Sequence, residues 1–555
     1  MAKQKAQQAG AEQADNLHWA ETLAEEVIGK FPDLDEYVCA AGISPSGTVH
    51  FGNFRDVMTI VAVGAALRQR GKQVRLLFSW DDYDRYRKVP AGIDPKFEEH
   101  IGKPLSAVPD PHGDTGVTYA QRFERLFEGA MKELGIELDY RYQSELYQAG
   151  TYDDAIRTAL EQREKIAGIL FSLMSDKSKK ANKLDEDDFK RDYYPVAVYS
   201  EFTGKDLTKV TGFDGKTLTY ECKETGKTGK VELGKDRNLK LVWKTDWPMR
   251  WQHEGVNFEP AGSDHLSPGS SYDAGSRIIR EVFDGVPPVT ARYGMVGLQG
   301  VAGKMSGSSG LAKSPNELLE VYVESLLKWQ YLKRQPKQNF SLSFDSEIFR
   351  QYDEFDREVQ AHQAGELPRA RAFAIKEAFD GGKPTDGAKA IKAVKNPVSF
   401  RQLVSFGQIV QWDEDKVFEL LKSISADYDE ASVKERLPRA RNWLVDHNPD
   451  QLIALLEKPN TEYAEKLSDE AKQYVAELHR SLSDKGGESV KDLEELVYMI
   501  PKDNDASEES NRKAQRAFFK DAYQLLIGQD TGPRLSTFLW AVDRQKVRKL
   551  LNITA

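Results

Sequence analysis

Short apolar runs and longer amphipathic stretches alternate along the first part of the chain. Tyr37-Val38-Cys39-Ala40 and Val74-Arg75-Leu76-Leu77-Phe78 read as buried strands, with Asn53 to Arg70 as the helix between them. Glu128 to Leu138 reads as a helix, Asp139-Tyr140-Arg141-Tyr142 as the next strand, and Arg157 to Leu173 as one long helix. Such alternation implies an α/β fold, a parallel, doubly wound sheet with its ligand at the strand C-termini. Two stretches break the rhythm. Ile93 to Thr118, rich in Pro, Gly and His, reads as a loop over a site. Glu201 to Lys240, rich in Gly, Lys and Thr with runs such as Thr217-Leu218-Thr219-Tyr220, reads as an inserted β-knuckle.

Beyond Lys313 helical periodicity takes over, at Glu317–Leu332, Val417–Ile424, Glu462–Leu482 and Ala514–Ile527, separated by Pro, Asp and Gly breaks. The expected division is a disordered tail (1–15), an α/β domain (16–312) with the knuckle at 200–240, a connecting helical segment (313–344) and an all-α region (345–555).

Composition narrows the class. With 555 residues, 40% hydrophobic and 30% charged, the chain is globular and long enough for several cores. No apolar run approaches the ~20 residues that span a bilayer, and the Ala/Gln-rich N-terminus lacks a signal peptide's apolar core. Two cysteines, Cys39 and Cys222, argue against a disulfide framework and fit a cytoplasmic location. The net charge of −10 requires any nucleic-acid contact to be a local basic patch. Lys177–Lys183, Lys227–Lys244 and Lys328–Lys337 are candidates, although each also suits a solvated face.

Two small-residue loops carry the most specific chemistry. Gly42-Ile43-Ser44-Pro45-Ser46-Gly47-Thr48-Val49-His50-Phe51-Gly52-Asn53 follows a strand and opens a helix. A loop so placed presents backbone N–H groups and a positive dipole end to an anion. Gly303-Lys304-Met305-Ser306-Gly307-Ser308-Ser309-Gly310 supplies a cation from a Gly-flanked loop. Neither is a Walker A loop or a GxGxxG fingerprint. His50, Gly52 and Asn53 at one helix start, with Lys304, Ser306 and Ser308 on the other loop, could surround a triphosphate.

Two further segments bear on a second ligand. Asp81-Asp82-Tyr83-Asp84-Arg85 follows a strand, so its carboxylates sit at the sheet's C-terminal edge, where they could hold an ammonium group or pair among themselves. Trp243, Trp247 and Trp251 crowd three of the nine tryptophans together, ahead of Phe258-Glu259-Pro260-Ala261-Gly262-Ser263-Asp264-His265 and Gly269-Ser270-Ser271-Tyr272-Asp273. An aromatic wall fits the stem and cationic head of a long amine, or simply a core.

The two loops resemble the HIGH and KMSKS signatures of class I aminoacyl-tRNA synthetases. With DDYDRYRKVP, DWPMRW, FEPAGSDH and GSSYD, the resemblance narrows to the class I lysyl-tRNA synthetases of archaea and some bacteria, and it runs from about residue 17 to 555. It implies a Rossmann-type catalytic domain and a C-terminal α-helix cage that reads the anticodon. It implies a lysine–tRNA ligase acting through lysyl-adenylate, with ATP, L-lysine and tRNA(Lys) as partners, Mg²⁺ accompanying ATP, and no membrane. His50, Asn53 and Lys304 are its implied catalytic residues. His50, Gly52, Asn53, Asp264, Lys304, Ser306 and Ser308 would surround ATP; Gly42, Ser44, Asp81, Trp243, His265 and Tyr272 would surround lysine.

Two departures stand out. Gly307 replaces the second lysine of KMSKS, which leaves the cationic role to Lys304. The knuckle, where family members often carry paired CxxC motifs, holds Cys222 alone, so no structural zinc is expected. The residues leave open whether Asp81, Asp82, Asp246 or Glu259 holds the ε-ammonium. They also leave room for a glutamyl-type enzyme or a non-catalytic tRNA-binding paralogue.

Overall fold

The computed structural model describes residues 17–299, 313–382, 387–424, 427–482 and 488–553. The expected tail and the loop bearing Lys304, Ser306 and Ser308 lie outside the described residues.

The chain forms two compact units. One comprises the chain up to Ser343 together with Glu358–Ile391; the other comprises Phe344–Arg357 and the chain from Lys392 onward.

In the first unit, β1 (Glu36–Ile43), α1 (Phe54–Gln69), β2 (Gln73–Trp80), α2 (Tyr119–Glu133) and β3 (Asp139–Tyr142) follow one another. The inserted region contains β4 (Val196–Val198), β5 (Thr208–Phe213), β6 (Thr217–Cys222), β7 (Thr228–Glu232) and β8 (Leu239–Leu241). Then come α3 (Trp243–Glu254), β9 (Val256–Phe258), β10 (Ala261–Gly262), β11 (Arg292–Tyr293), β12 (Val296–Gln299) and β13 (Phe340–Ser343). The central sheet is parallel in the order β3-β2-β1-β9. Its strands are mostly apolar because both faces are covered. Helix α1 is buried from Phe54 to Leu67, as suits a helix laid against such a sheet.

β1 and β2 run in register from Glu36↔Gln73 to Ile43↔Trp80, so the loops after both strands emerge at one edge. Gly42 lies beside Ser79 there. A Cβ on Gly42 would come within 2.8 Å of the Ser79 carbonyl oxygen, so only glycine fits at that spacing.

The knuckle is a three-stranded antiparallel sheet, β5-β6-β7, entered and left through the antiparallel pair β4–β8. Leu218, Tyr220, Cys222 and Val231 share a core with Tyr147, Ile156 and Met249, so the insertion is packed onto its host.

In the second unit, helices pack around Val475, Leu478, Leu493, Val497, Phe518, Leu525, Leu526, Phe538 and Leu550. Phe538 is core and Trp540 packs against it.

Several elements differ from the periodicity reading. The helix expected at Glu128–Leu138 is α2, beginning earlier at Tyr119. Thr118 caps it through a box with Gln121, and the chain turns out at Gly135, whose φ is +68°. The single helix expected over Arg157–Leu173 is two, Asp153–Glu161 and Arg163–Leu173. No Gly or Pro marks that break; it lies between two separately buried faces. Glu317–Leu332 and Glu462–Leu482 likewise divide, the latter where Ser468 caps the second helix. The segment read as a helical connector ends in a strand: β13 pairs in parallel with β12.

Candidate active site

The site grows from the loop between β1 and α1. Asn53 occupies the N-cap of α1, and its side chain makes no capping bond, which leaves its amide for a ligand. His50 is half-buried, and its Nδ1 accepts the Gly52 N–H at 3.0 Å. Burial lowers its pKa. The neutral imidazole therefore carries its proton on Nε2, a donor beside the positive end of a helix dipole. That arrangement suits phosphate oxygens.

Beside this loop a partly open pocket, about 430 Å³ including the solvent at its mouth, lies between the sheet and α3. Gly42, Ser79, Asp81, Trp243, Trp247, Arg250, Trp251 and Glu259 are among its lining. The expected aromatic wall is assembled here. Trp243 stacks on Trp247 with centroids 5.0 Å apart, and the His265 ring meets both edge-on at 5.9 and 5.8 Å. Tyr272 packs edge-on against Trp251 at 5.7 Å, while its hydroxyl donates to the Pro288 carbonyl. Trp247 and Trp251 are buried; Trp243 is half-buried.

The acidic cluster is mostly matched by the protein itself. Asp81 accepts from Arg250 at 2.6 Å, and the same guanidinium reaches Asp246 at 3.2 Å. Asp246 also accepts from the Tyr147 hydroxyl. Asp82 accepts from the backbone N–H and hydroxyl of Ser144, and burial still pushes its pKa up to about 6. Asp84 accepts from Lys240 and Ser44.

Glu259 differs. It accepts two indole N–H bonds, from Trp247 at 3.0 Å and Trp251 at 2.6 Å, and forms no ion pair among the described residues. Burial raises its pKa. Asp56, in the first turn of α1, accepts from the Tyr293 hydroxyl at 2.9 Å. Its other oxygen is buried with no hydrogen-bond partner among the described residues. Burial raises Asp56 well above the ordinary range, and the negative charge of Glu259 adds to the rise. The negative charge of Glu259 thus bears on Asp56, and neither carboxyl has a cation bonded to it among the described residues.

Asp56, Tyr293 and Arg250 were not among the residues singled out for a ligand. Arg250 stood visible within the DWPMRW motif, but its partners became apparent only in three dimensions. Asp264 lies exposed on the turn after β10, next to His265. Among the described residues no group of three or more His, Cys, Asp or Glu side chains could hold a metal, and Cys222 is buried at the end of β6 as a free cysteine.

In the second unit, the basic residues near the C-terminus are partly engaged. Arg534 pairs with Glu494, Lys546 with Glu457 at 2.7 Å, and Arg548 donates to the His479 and Leu482 carbonyls.

The family model of tRNA synthetases class I (K) matches residues 17–376. A lysine–tRNA ligase of Streptomyces coelicolor is 37% identical, covering 98% of this chain and 99% of its own length. One from Pyrococcus horikoshii is 34% identical, covering 97% and 99% respectively. Among solved structures, a glutamate tRNA ligase from Elizabethkingia meningosepticum in complex with its amino acid matches with a TM-score of 0.42 and 14% identity, covering 93% of this chain and 98% of that one.

Proposed function

With the chain belonging to the class I lysyl-tRNA synthetase family, an ATP-dependent lysine–tRNA ligase, we propose how its residues divide that reaction. The lysine carboxylate attacks the α-phosphorus of ATP and pyrophosphate leaves, giving lysyl-adenylate. A ribose hydroxyl at the 3′ end of tRNA(Lys) then attacks the lysyl carbonyl and AMP leaves. Activation needs two anions brought together and the developing charge stabilised, not a nucleophilic side chain.

His50 Nε2–H, the start of α1 and the Asn53 amide serve the phosphates. Lys304, Ser306 and Ser308 serve them from the second loop, and Asp264 serves the ribose. Mg²⁺ arrives with ATP as its counter-ion. Gly42, Ser44, Asp81, Trp243 and His265 surround the α-amino end and stem of lysine, with Tyr272 supporting the wall through Trp251.

The ε-ammonium is assigned to Glu259, with Asp56 and Tyr293 completing its surroundings. The observation that supports this reading is that Glu259 lines the cavity with only indole donors among the described residues: Asp81, Asp84 and Asp246 already have Arg250 or Lys240, and Asp82, which also has only neutral donors, is not part of the lining. The same charge pattern opposes a glutamate side chain.

A role of the helical second unit in reading the anticodon belongs to this reading, as does a cytoplasmic location. Among the described residues no helix is long and apolar enough to cross a membrane. The test is ATP–pyrophosphate exchange with each of the twenty amino acids. Exchange with lysine alone is expected; exchange with glutamate, or with none, would refute the assignment.

A further inference from the structure

The knuckle's exit strand carries a buried cation that reaches the signature loop. Lys240 sits between Leu239 and Leu241 on β8, pointing away from the face those leucines bury. Its Nζ donates to Asp84 Oδ1 at 2.5 Å, and the Ser44 hydroxyl donates to Asp84 Oδ2 at 2.7 Å. The lysine side chain is only 8% exposed. Burial works against both charges, yet attraction outweighs it: Asp84 foremost raises Lys240, and Lys240 foremost lowers Asp84. The strand also delivers Trp243, two residues further on, to the cavity wall. The knuckle holds the Asp81–Arg85 loop at other points: the Tyr199 hydroxyl donates to the Tyr83 carbonyl, and Arg85 pairs with Asp206 at 3.3 Å.

A serine hydroxyl has one proton and two lone pairs. Asp84 takes the proton, so Ser44 can only accept from anything else. An acceptor recognises an ammonium group and rejects a carboxylate oxygen. We propose that Lys240 and Asp84 are positioning residues that make Ser44 an obligate acceptor for the α-ammonium of lysine, so that the inserted knuckle helps select a substrate with a free α-amino group. The proposal rests on the reading that Ser44 faces the substrate's α-amino end.

The test compares equilibrium binding of L-lysine with that of 6-aminohexanoate, which lacks only the α-amino group. The full-length enzyme should prefer L-lysine. Asp84→Asn should reduce that preference about tenfold or more, the worth of a hydrogen bond to a charged group, with 6-aminohexanoate affinity changed less than about twofold. Lys240→Met should act alike, and Lys240→Arg should restore most of the preference. Should a single change leave an unpaired buried charge and prevent folding, Asp84→Asn combined with Lys240→Met removes both charges and should show the same loss. A purely structural role would weaken both ligands equally and leave the ratio intact, which overturns the proposal. If Ser44→Ala loses the preference while Asp84→Asn keeps it, the positioning role is wrong and the reading of Ser44 stands. If Ser44→Ala keeps the preference, both are wrong.

Discussion

His50 Nδ1 accepts the Gly52 amide hydrogen at 3.0 Å, and a Cβ on Gly52 would lie 2.7 Å from that same ring. The glycine therefore does two things for the histidine: it donates the bond that fixes the tautomer and leaves room for the ring. Gly52→Ala should mimic His50→Ala, each lowering the kcat of lysine-dependent ATP–pyrophosphate exchange by about 10²–10³-fold with little change in lysine KM. Full activity in Gly52→Ala would show that the ring need not hold this position.

The lysine end behaves differently. Glu259→Gln and Asp56→Asn remove negative charge where an ammonium is proposed to bind, so each should raise lysine KM by about tenfold or more while ATP KM stays near its starting value. Trp243→Ala should shift lysine KM in the same direction through lost packing. A variant that changed ATP KM instead would move its residue out of the lysine pocket.

Proton linkage gives that assignment a sign. Burial raises the pKa values of Glu259 and Asp56 in the free enzyme. Ionising such a group costs stability, so its penalty to folding is full above the raised folded pKa, shrinks as pH falls below it and is gone below the unfolded value. A bound ammonium favours the ionised form, so lysine must displace a proton once pH is below the raised value. Lysine affinity should therefore weaken as pH falls below the raised value toward the ordinary carboxylate range, and the rise in Tm caused by lysine should shrink in parallel. The double variant Asp56→Asn/Glu259→Gln should flatten the profile. A profile as steep in that double variant as in the parent would place the titrating group elsewhere.

Zinc content is a separate check on the knuckle. Cys222 is buried beside Leu218, Tyr220 and Val231, and hydrogen bonds from Ser200 and Thr225 lower its thiol pKa to about 7; a single cysteine still cannot build a tetrahedral thiolate site. Protein purified without a metal-binding tag should contain well under one zinc per chain by elemental analysis. Stoichiometric zinc lost in Cys222→Ser would contradict this.

Truncation tests the second unit. Ending the chain after Ile391 keeps Arg369–Asp380, whose Phe373, Ala374 and Ile375 are buried within the first unit; ending it before Asp345 would remove them. The longer fragment should retain lysine-dependent exchange, while aminoacylation of tRNA(Lys) and discrimination between anticodons should collapse. A soluble fragment that still rejected tRNAs with altered anticodons would assign recognition to the first unit.

Local chemistry announced much of this protein. The strand-loop-helix order around Gly42–Asn53 follows from apolar runs, small residues and a helix start, all of which act within a few residues. The knuckle was visible as a change in composition, and the three tryptophans as a cluster of large rings. Alternation in Phe340-Ser341-Leu342-Ser343 was present too, but four residues are too few to separate a strand from the end of a helix.

What remained closed was the pairing of charges. Asp81, Asp82, Asp84, Asp246 and Glu259 are equivalent acids when read along the chain. Their difference arises from Arg250, Ser144, Lys240 and two indole N–H groups, most of them brought up by other elements. Asp56 in the sequence is only an acid in a helix's first turn; burial beside Tyr293 of β11 is what raises its pKa and sets it apart. The sequence alone determined which residue types stand at the sheet's C-terminal edge, because periodicity and turn chemistry are local. Only the tertiary structure decided which carboxylates stay available to a ligand, because desolvation and ion pairing depend on neighbours remote in the chain.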